Sequence, residues 1–133
     1  MGQNFYRNSI ACVLVFDLTS KESFSHIESW RTEFLNALNL KNTESYPFIL
    51  FGNKSDLSQD IAVTDDIINN YCAEHNNMPY FATSAKNDIN LEEGFQKVAD
   101  MAYEQYTKSE NELILPETKV LKVKKEEKKG CCK

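Results

Sequence analysis

The chain has 133 residues, of which 41% are hydrophobic and 26% charged, which fits one globular domain at most with a modest core. No stretch approaches the roughly 18 apolar residues of a membrane-spanning helix, and the four cysteines form neither a disulfide framework nor a zinc spacing. The net charge of -5 is uneven: residues 119–133 hold seven Lys against two Glu, and residues 1–118 eight basic against eighteen acidic side chains; an acidic body with a basic end argues against nucleic acid and for an anionic membrane surface.

Met1-Gly2 would suit N-myristoylation, but Tyr6 stands where that signal needs Ser or Thr. The apolar run at 10–16 is short, ends at Asp17 and lacks a small-residue cleavage pattern, so no secretory signal is expected. Ala11-Cys12-Val13-Leu14-Val15-Phe16 is rich in β-formers and predicts a strand buried on both faces, as in a parallel sheet. Asp17, at its end, is expected to cap the following turn. Thr19 and Glu22 form a capping-box pattern. Phe24, Ile27, Trp30, Phe34 and Leu38 then recur at helical spacing, which places Trp30 in the core.

Pro47 leads into a second buried strand, Phe48-Ile49-Leu50-Phe51. A shorter helix at 64–75 turns Ile67, Ile68, Tyr71 and Cys72 inward, and Tyr80-Phe81-Ala82 reads as a third strand. Asn90-Leu91-Glu92-Glu93 opens a last helix whose face is Leu91, Phe95, Val98, Ala99, Ala102 and Tyr106. Gly94 inside it costs about 1 kcal/mol relative to alanine. The periodicity stops after Thr107, which divides a folded part, 1–107, from a flexible basic tail, 108–133. Cys12 and Cys72 fall in apolar stretches and are expected in the core of a protein of a reducing, cytosolic compartment. There the sequon Asn53-Lys54-Ser55 meets no glycosylation machinery. His26 and His75 stand in no ligand motif, so no metal site is expected.

Strand and helix alternate three times. The predicted fold is α/β, a parallel sheet with helices on its faces. Ligands of such sheets sit at the carboxyl ends of the strands. Two loops leave strands there, Gly52-Asn53-Lys54-Ser55-Asp56 and Thr83-Ser84-Ala85-Lys86. Guanine presents N1–H and an exocyclic amino group side by side, and one carboxylate accepts both. Adenine lacks that pair and would leave the carboxylate unpaired. Asp56 is the candidate acceptor. Asn53 can donate to the base N7 and tie loops together. The stem of Lys54 can lie over the ring. The Ala85 amide can meet the guanine O6, Lys86 can cover the other face, and Ser84 can hold the turn.

The chain resembles the C-terminal part of a Ras-superfamily small GTPase of the Rab branch, and within it the late-endosomal type. The likeness rests on Phe5-Tyr6-Arg7, Val13-Leu14-Val15-Phe16-Asp17, Ser29-Trp30-Arg31, Glu33-Phe34-Leu35, Pro47-Phe48, Gly52-Asn53-Lys54-Ser55-Asp56-Leu57, Pro79-Tyr80-Phe81 and Thr83-Ser84-Ala85-Lys86, and covers residues 4–106. Asn-Lys-x-Asp alone is a weak signal; with Ser-Ala-Lys at the right distance, each behind an apolar strand, it is a strong one. The resemblance implies a P-loop GTPase-like fold and a GTP/GDP ligand touched here through its base. It also implies Mg²⁺ in the complete domain, effectors, and a role in vesicle traffic at the cytoplasmic face of endosomal membranes.

Phosphate chemistry in that family needs Gly-x-x-x-x-Gly-Lys-Ser/Thr. Gly2, Gly52, Gly94 and Gly130 are the only glycines, and none opens such a loop. Gly2-Gln3 looks like the family's water-positioning pair. Matching Phe5-Tyr6-Arg7 instead puts Gln3 near the end of the switch II helix, so the chain is expected to begin just beyond switch II, with no catalytic residue and no metal ligand. The missing half would leave the first strand at an open edge. The chain alone is then expected to fold poorly and to bind GTP very weakly.

Gly130-Cys131-Cys132-Lys133 resembles the double-geranylgeranylation signal of Rab proteins, which implies prenylation of Cys131 and Cys132 and contact with the escort machinery. Two prenyl chains hold stably where one does not, and nearby lysines add roughly 1 kcal/mol each at an anionic surface. Lys133 departs from the commoner endings. Two other readings stay open: a non-hydrolysing, membrane-tethered binding module, and a truncated copy with no stable product.

Overall fold

The computed structural model describes residues 6–39, 43 and 45–113, the last five through their backbone. Three strands and four helices follow one another: β1 (Cys12–Asp17), α1 (Lys21–Ser25), α2 (Ile27–Leu38), β2 (Phe48–Asn53), α3 (Asp65–Glu74), β3 (Tyr80–Ala82) and α4 (Leu91–Leu113). The strands form one parallel sheet in the order β1-β2-β3. The register pairs Cys12 with Phe48 at one end and Asp17 with Asn53 at the other. It therefore sets Asp17 level with the first polar residue of the longer predicted loop.

Side chains alternate across a strand. Leu14, Phe16, Phe48 and Leu50 share one face and join Ile27 and Phe34 of α2 with Ile68 and Cys72 of α3 in the main core. On the other face Phe51 meets Phe81 and Phe95 edge-on, with ring centroids 6.0 and 5.5 Å apart. Thus α4 lies on the face opposite α2 and α3. The expected α/β architecture, a parallel sheet with helices on both faces, is what the chain adopts. Gly94 is what lets α4 approach: an added Cβ would stand 2.5 Å from Phe51 Cζ.

Several local expectations are corrected. The first cap is Ser20, whose hydroxyl accepts from the Ser23 amide; the Thr19 amide and hydroxyl are instead held by Asp17 Oδ1, at 2.9 and 2.7 Å. The single helix expected after it is two, broken at His26. Trp30 is 44% exposed. The inward line of α2 runs through Ile27, Arg31 and Phe34, and the Arg31 guanidinium sits 5.3 Å from the centre of the Phe48 ring. Arg31 thus covers apolar surface with its stem and its charge together. Ile67 is exposed while Ile68 and Cys72 of the same helix are buried. The α4 face is turned from its predicted setting: Gly94 is buried, whereas Phe95 and Tyr106 are exposed. The helix also continues to Leu113, beyond the point where periodicity fades. Val15 is 47% exposed, so β1 is not covered on both faces. Among the described residues β1 stands at the sheet edge, and Phe95 of α4 packs on Phe51 of β2.

Candidate functional site

The two predicted loops meet at the carboxyl end of the sheet. Gly52 closes β2 where a Cβ would lie 2.8 Å from Tyr80 Oη and 3.0 Å from Leu18 Cδ2, so a glycine lets the strand run flush against its neighbours. The next residues leave the sheet under tight backbone control. The Thr83 amide donates to the Gly52 carbonyl at 2.8 Å, and the Ser55 amide donates to the Thr83 carbonyl at 2.9 Å. Lys54, between them, has φ 66°, in the left-handed region. A non-glycine residue there costs of order 1 kcal/mol and persists where its surroundings fix it.

Side chains complete the junction. Asn53 Oδ1 accepts from the Ala85 amide at 3.0 Å, so Asn53 ties the first loop to the second. Ser84 Oγ donates to Asp56 Oδ1 at 2.5 Å and accepts from the Asn87 amide at 3.2 Å. Ser84 is fully buried, and its backbone exchanges two hydrogen bonds with Ile89 in a short antiparallel bridge. That bridge closes the loop 85–88 and leaves Ala85 and Lys86 exposed at its tip. A carboxylate has acceptor capacity well beyond one hydroxyl. Asp56 is therefore oriented by Ser84 while it keeps the chemistry needed to accept a pair of N–H donors.

Of the six predicted base-site residues, the structure joins Asn53 to Ala85 and Asp56 to Ser84. Lys54 and Lys86 stand exposed on the two loops. Lys54 has a partner that the sequence did not suggest: its ammonium lies 2.5 Å from Asp17 Oδ2. Burial raises the Asp17 pKa, but the bonds from Lys54 and Thr19 outweigh it and hold the carboxyl below its ordinary value. The only sequence signal for this contact was the polar residue closing an apolar strand. Asp17 does cap its turn as expected, through Thr19.

A hollow of about 310 Å³ adjoins the first loop, lined by Leu18, Ser55, Val63, Tyr80 and Ala82. A cleft of about 390 Å³ lies at the opposite end of the sheet, between Pro47, Met78, Pro79 and the later turns of α4. Among the described residues no group of three or more His, Cys, Asp or Glu could hold a metal ion. His75 does lie beside a carboxylate, with Nε2 3.1 Å from Glu28 Oε2, but that contact joins α3 to α2 away from the loops. Burial pushes the Cys12 thiol up to about 11, and raises that of Cys72 as well, so both behave as apolar packing groups. Cys131 and Cys132 lie outside the described residues. No helix among those described is long and apolar enough to cross a membrane.

A sequence model of the Ras family matches residues 1–104. The chain is 42% identical to Ras-related protein Rab7 of Pisum sativum over 120 residues, 89% of this chain and 57% of that protein. It is 37% identical to Ras-related protein Rab-7b of Paramecium octaurelia over 137 residues, 99% of this chain and 65% of the other. With the Ypt/Rab-type GTPase ypt7 of Schizosaccharomyces pombe it shares 43% over 105 residues, 78% and 51% of the two chains. The chain thus spans between about half and two thirds of the length of these relatives.

Proposed function

This chain belongs to the Ras family, on its Rab branch, and on that premise we propose that it is the base-reading and membrane-anchoring part of a guanine-nucleotide-binding protein of vesicle traffic. The observation that carries this is the double tie between the loops, Asn53 to Ala85 and Asp56 to Ser84, at the carboxyl ends of β2 and β3. It ties the loop that carries the Asp56 carboxylate to the loop that carries the Ala85 amide, and a carboxylate with an amide is the chemistry that complements the guanine edge. In this reading Asp56 accepts N1–H and the amino group, and the Ala85 N–H, which donates to Asn53 Oδ1 in the nucleotide-free chain, turns to O6 when the base arrives. Asn53 holds the loops and faces N7, Ser84 orients Asp56, and Lys54 and Lys86 cover the two faces of the ring.

Hydrolysis is assigned to none of these residues. The sequence has no Gly-x-x-x-x-Gly-Lys run to hold phosphates. Mg²⁺ belongs to the family's phosphate chemistry, and no residue is assigned to it here. The proposal therefore stops at GTP or GDP bound through the base. Its effectors, and its residence on the cytoplasmic face of endosomal membranes, follow from the family as proposals.

The test is a titration of the full 133-residue chain with guanosine and with adenosine. Guanosine should bind at least tenfold more tightly, and Asp56→Ala should remove the difference, since the discriminating pair of bonds is lost. Equal affinities for the two nucleosides in the wild-type chain would reject the base-reading assignment. Membrane anchoring is tested apart. The double change Cys131→Ser and Cys132→Ser should move a tagged chain from the membrane to the soluble fraction of cells, and an unchanged distribution would reject prenylation.

A further inference from the structure

The ion pair between Lys54 and Asp17 joins a loop residue to a strand that carries none of the six base-site residues. Asp17 is fixed from every side. Its amide donates to Ser23 Oγ at 2.9 Å, and its Oδ1 accepts both the amide and the hydroxyl of Thr19. Its second oxygen, Oδ2, takes the Lys54 ammonium at 2.5 Å. At the other end Lys54 leaves a backbone held at φ 66° by its loop: its carbonyl accepts from the Leu57 amide, and the next amide is bound to Thr83. Both ends of the lysine side chain are thus anchored, and four methylenes span the gap across the carboxyl ends of β1 and β2. The pair is open to solvent on one side, with Lys54 51% and Asp17 23% exposed.

We propose that Asp17 is a positioning residue for guanine recognition: it pins the Lys54 ammonium so that the lysine stem lies across one face of the base site before a nucleotide arrives. The proposal rests on the base-reading assignment above and goes beyond it, because Asp17 touches no base. A free lysine samples many rotamers, and ordering it on binding costs affinity; a lysine already stretched to Asp17 has met that cost in the folded chain. The parallel register makes this possible by setting Asp17 level with Asn53. A strand one residue shorter would put the carboxylate on the other face of the sheet.

The experiment is a double-mutant cycle read by guanosine titration of the full chain. Asp17→Asn, which keeps the shape and the cap on Thr19 but removes the charge, should weaken guanosine binding about fivefold. Lys54→Met, which keeps a stem and removes the ammonium, should weaken it by a similar factor. In the Lys54→Met background, Asp17→Asn should change nothing further. A merely structural role for Asp17 would weaken binding in both backgrounds and would overturn the proposal. Equal or tighter binding by Asp17→Asn alone would also overturn it, because the ion pair would then be idle or a competitor of the base. A direct measurement guards against a variant that fails to fold. In the nucleotide-free wild-type chain, the Lys54 ε-methylene protons should give two resolved NMR signals that merge in Asp17→Glu, whose longer arm misplaces the charge; merged signals in the wild type would show an unpinned lysine and reject the proposal. If guanosine is preferred and Asp56→Ala removes the preference while Asp17→Asn does not alter guanosine binding, the base-reading assignment stands and only the role of Asp17 falls. If the wild-type chain binds guanosine no better than adenosine, both fall.

Discussion

Asp17 shows how one side chain serves two purposes at once. Its Oδ1 closes a turn on Thr19 and its Oδ2 holds Lys54. The sign of its contribution to stability follows from its titration. Burial raises the pKa, and the bonds from Lys54 and Thr19 lower it by more, so the folded carboxyl titrates below its unfolded counterpart. A depressed carboxyl stabilises the fold above its unfolded pKa of about 3.9, and that contribution is lost as pH falls through the folded value. Urea denaturation at several pH values should show the wild type losing more stability between about pH 5 and pH 3 than Asp17→Asn, which has no carboxyl to protonate. Parallel pH profiles would mean that the pair adds nothing. The turn role was legible in the sequence, because Asp-x-Thr after a strand is a turn signal. The lysine role was not, because Lys54 lies 37 positions along the chain and only strand register brings it close.

At the scale of elements, α4 is the instructive case. Read as a sequence, Gly94 is a weak point in a helix, and Gly94→Ala should gain about 1 kcal/mol. The structure reverses the sign. The added Cβ would meet Phe51 Cζ at 2.5 Å, and Phe51 is itself 3% exposed and packed against Phe81 and Phe95. Overpacking of that kind costs about 1–3 kcal/mol, so Gly94→Ala should be net destabilising and Gly94→Val more so. Chemical denaturation of the three chains decides it, and a stabilised alanine variant would mean that the helix does not rest on Phe51. The same contact explains why the predicted face of α4 was turned. The helix lies down on its smallest residue, which carries no apolar signal, and Phe95 is left at the rim. In α2 the error has a similar origin: Arg31 fills an inward place on Phe48, so the largest apolar side chain nearby, Trp30, stays outside.

Across the whole molecule the sheet is lopsided. β2 is paired on both sides, whereas β1 has a partner among the described residues only in β2. Val15 on that strand and Phe95 on the helix above are 47% and 57% exposed. An uncovered edge with apolar residues on its open face favours pairing with another chain. The 133-residue chain should therefore self-associate at micromolar concentration, and Val15→Lys should raise the concentration at which light scattering appears. A monodisperse wild-type chain, or a lysine variant that scatters equally, would show that the edge is not the sticky surface. The charged end of the chain, residues 119–133, lies outside the described residues.

The sequence by itself determined the alternation of strands with helical segments, the parallel fold class and the two loops at the carboxyl ends. Each of these is written in local signals, namely apolar runs, helical spacing and polar residues that follow a strand. It also named Asn53, Asp56, Ser84 and Ala85, because a short motif behind a strand carries its own chemistry. Tertiary structure alone decided that Asn53 binds the Ala85 amide, that Ser84 orients Asp56 and that Asp17 holds Lys54. It alone decided as well that Gly94 is buried while Trp30 is exposed. The physical reason is common to all of them: these contacts join residues far apart in the chain, and their partners are fixed by strand register and by the distance at which a helix settles on a sheet.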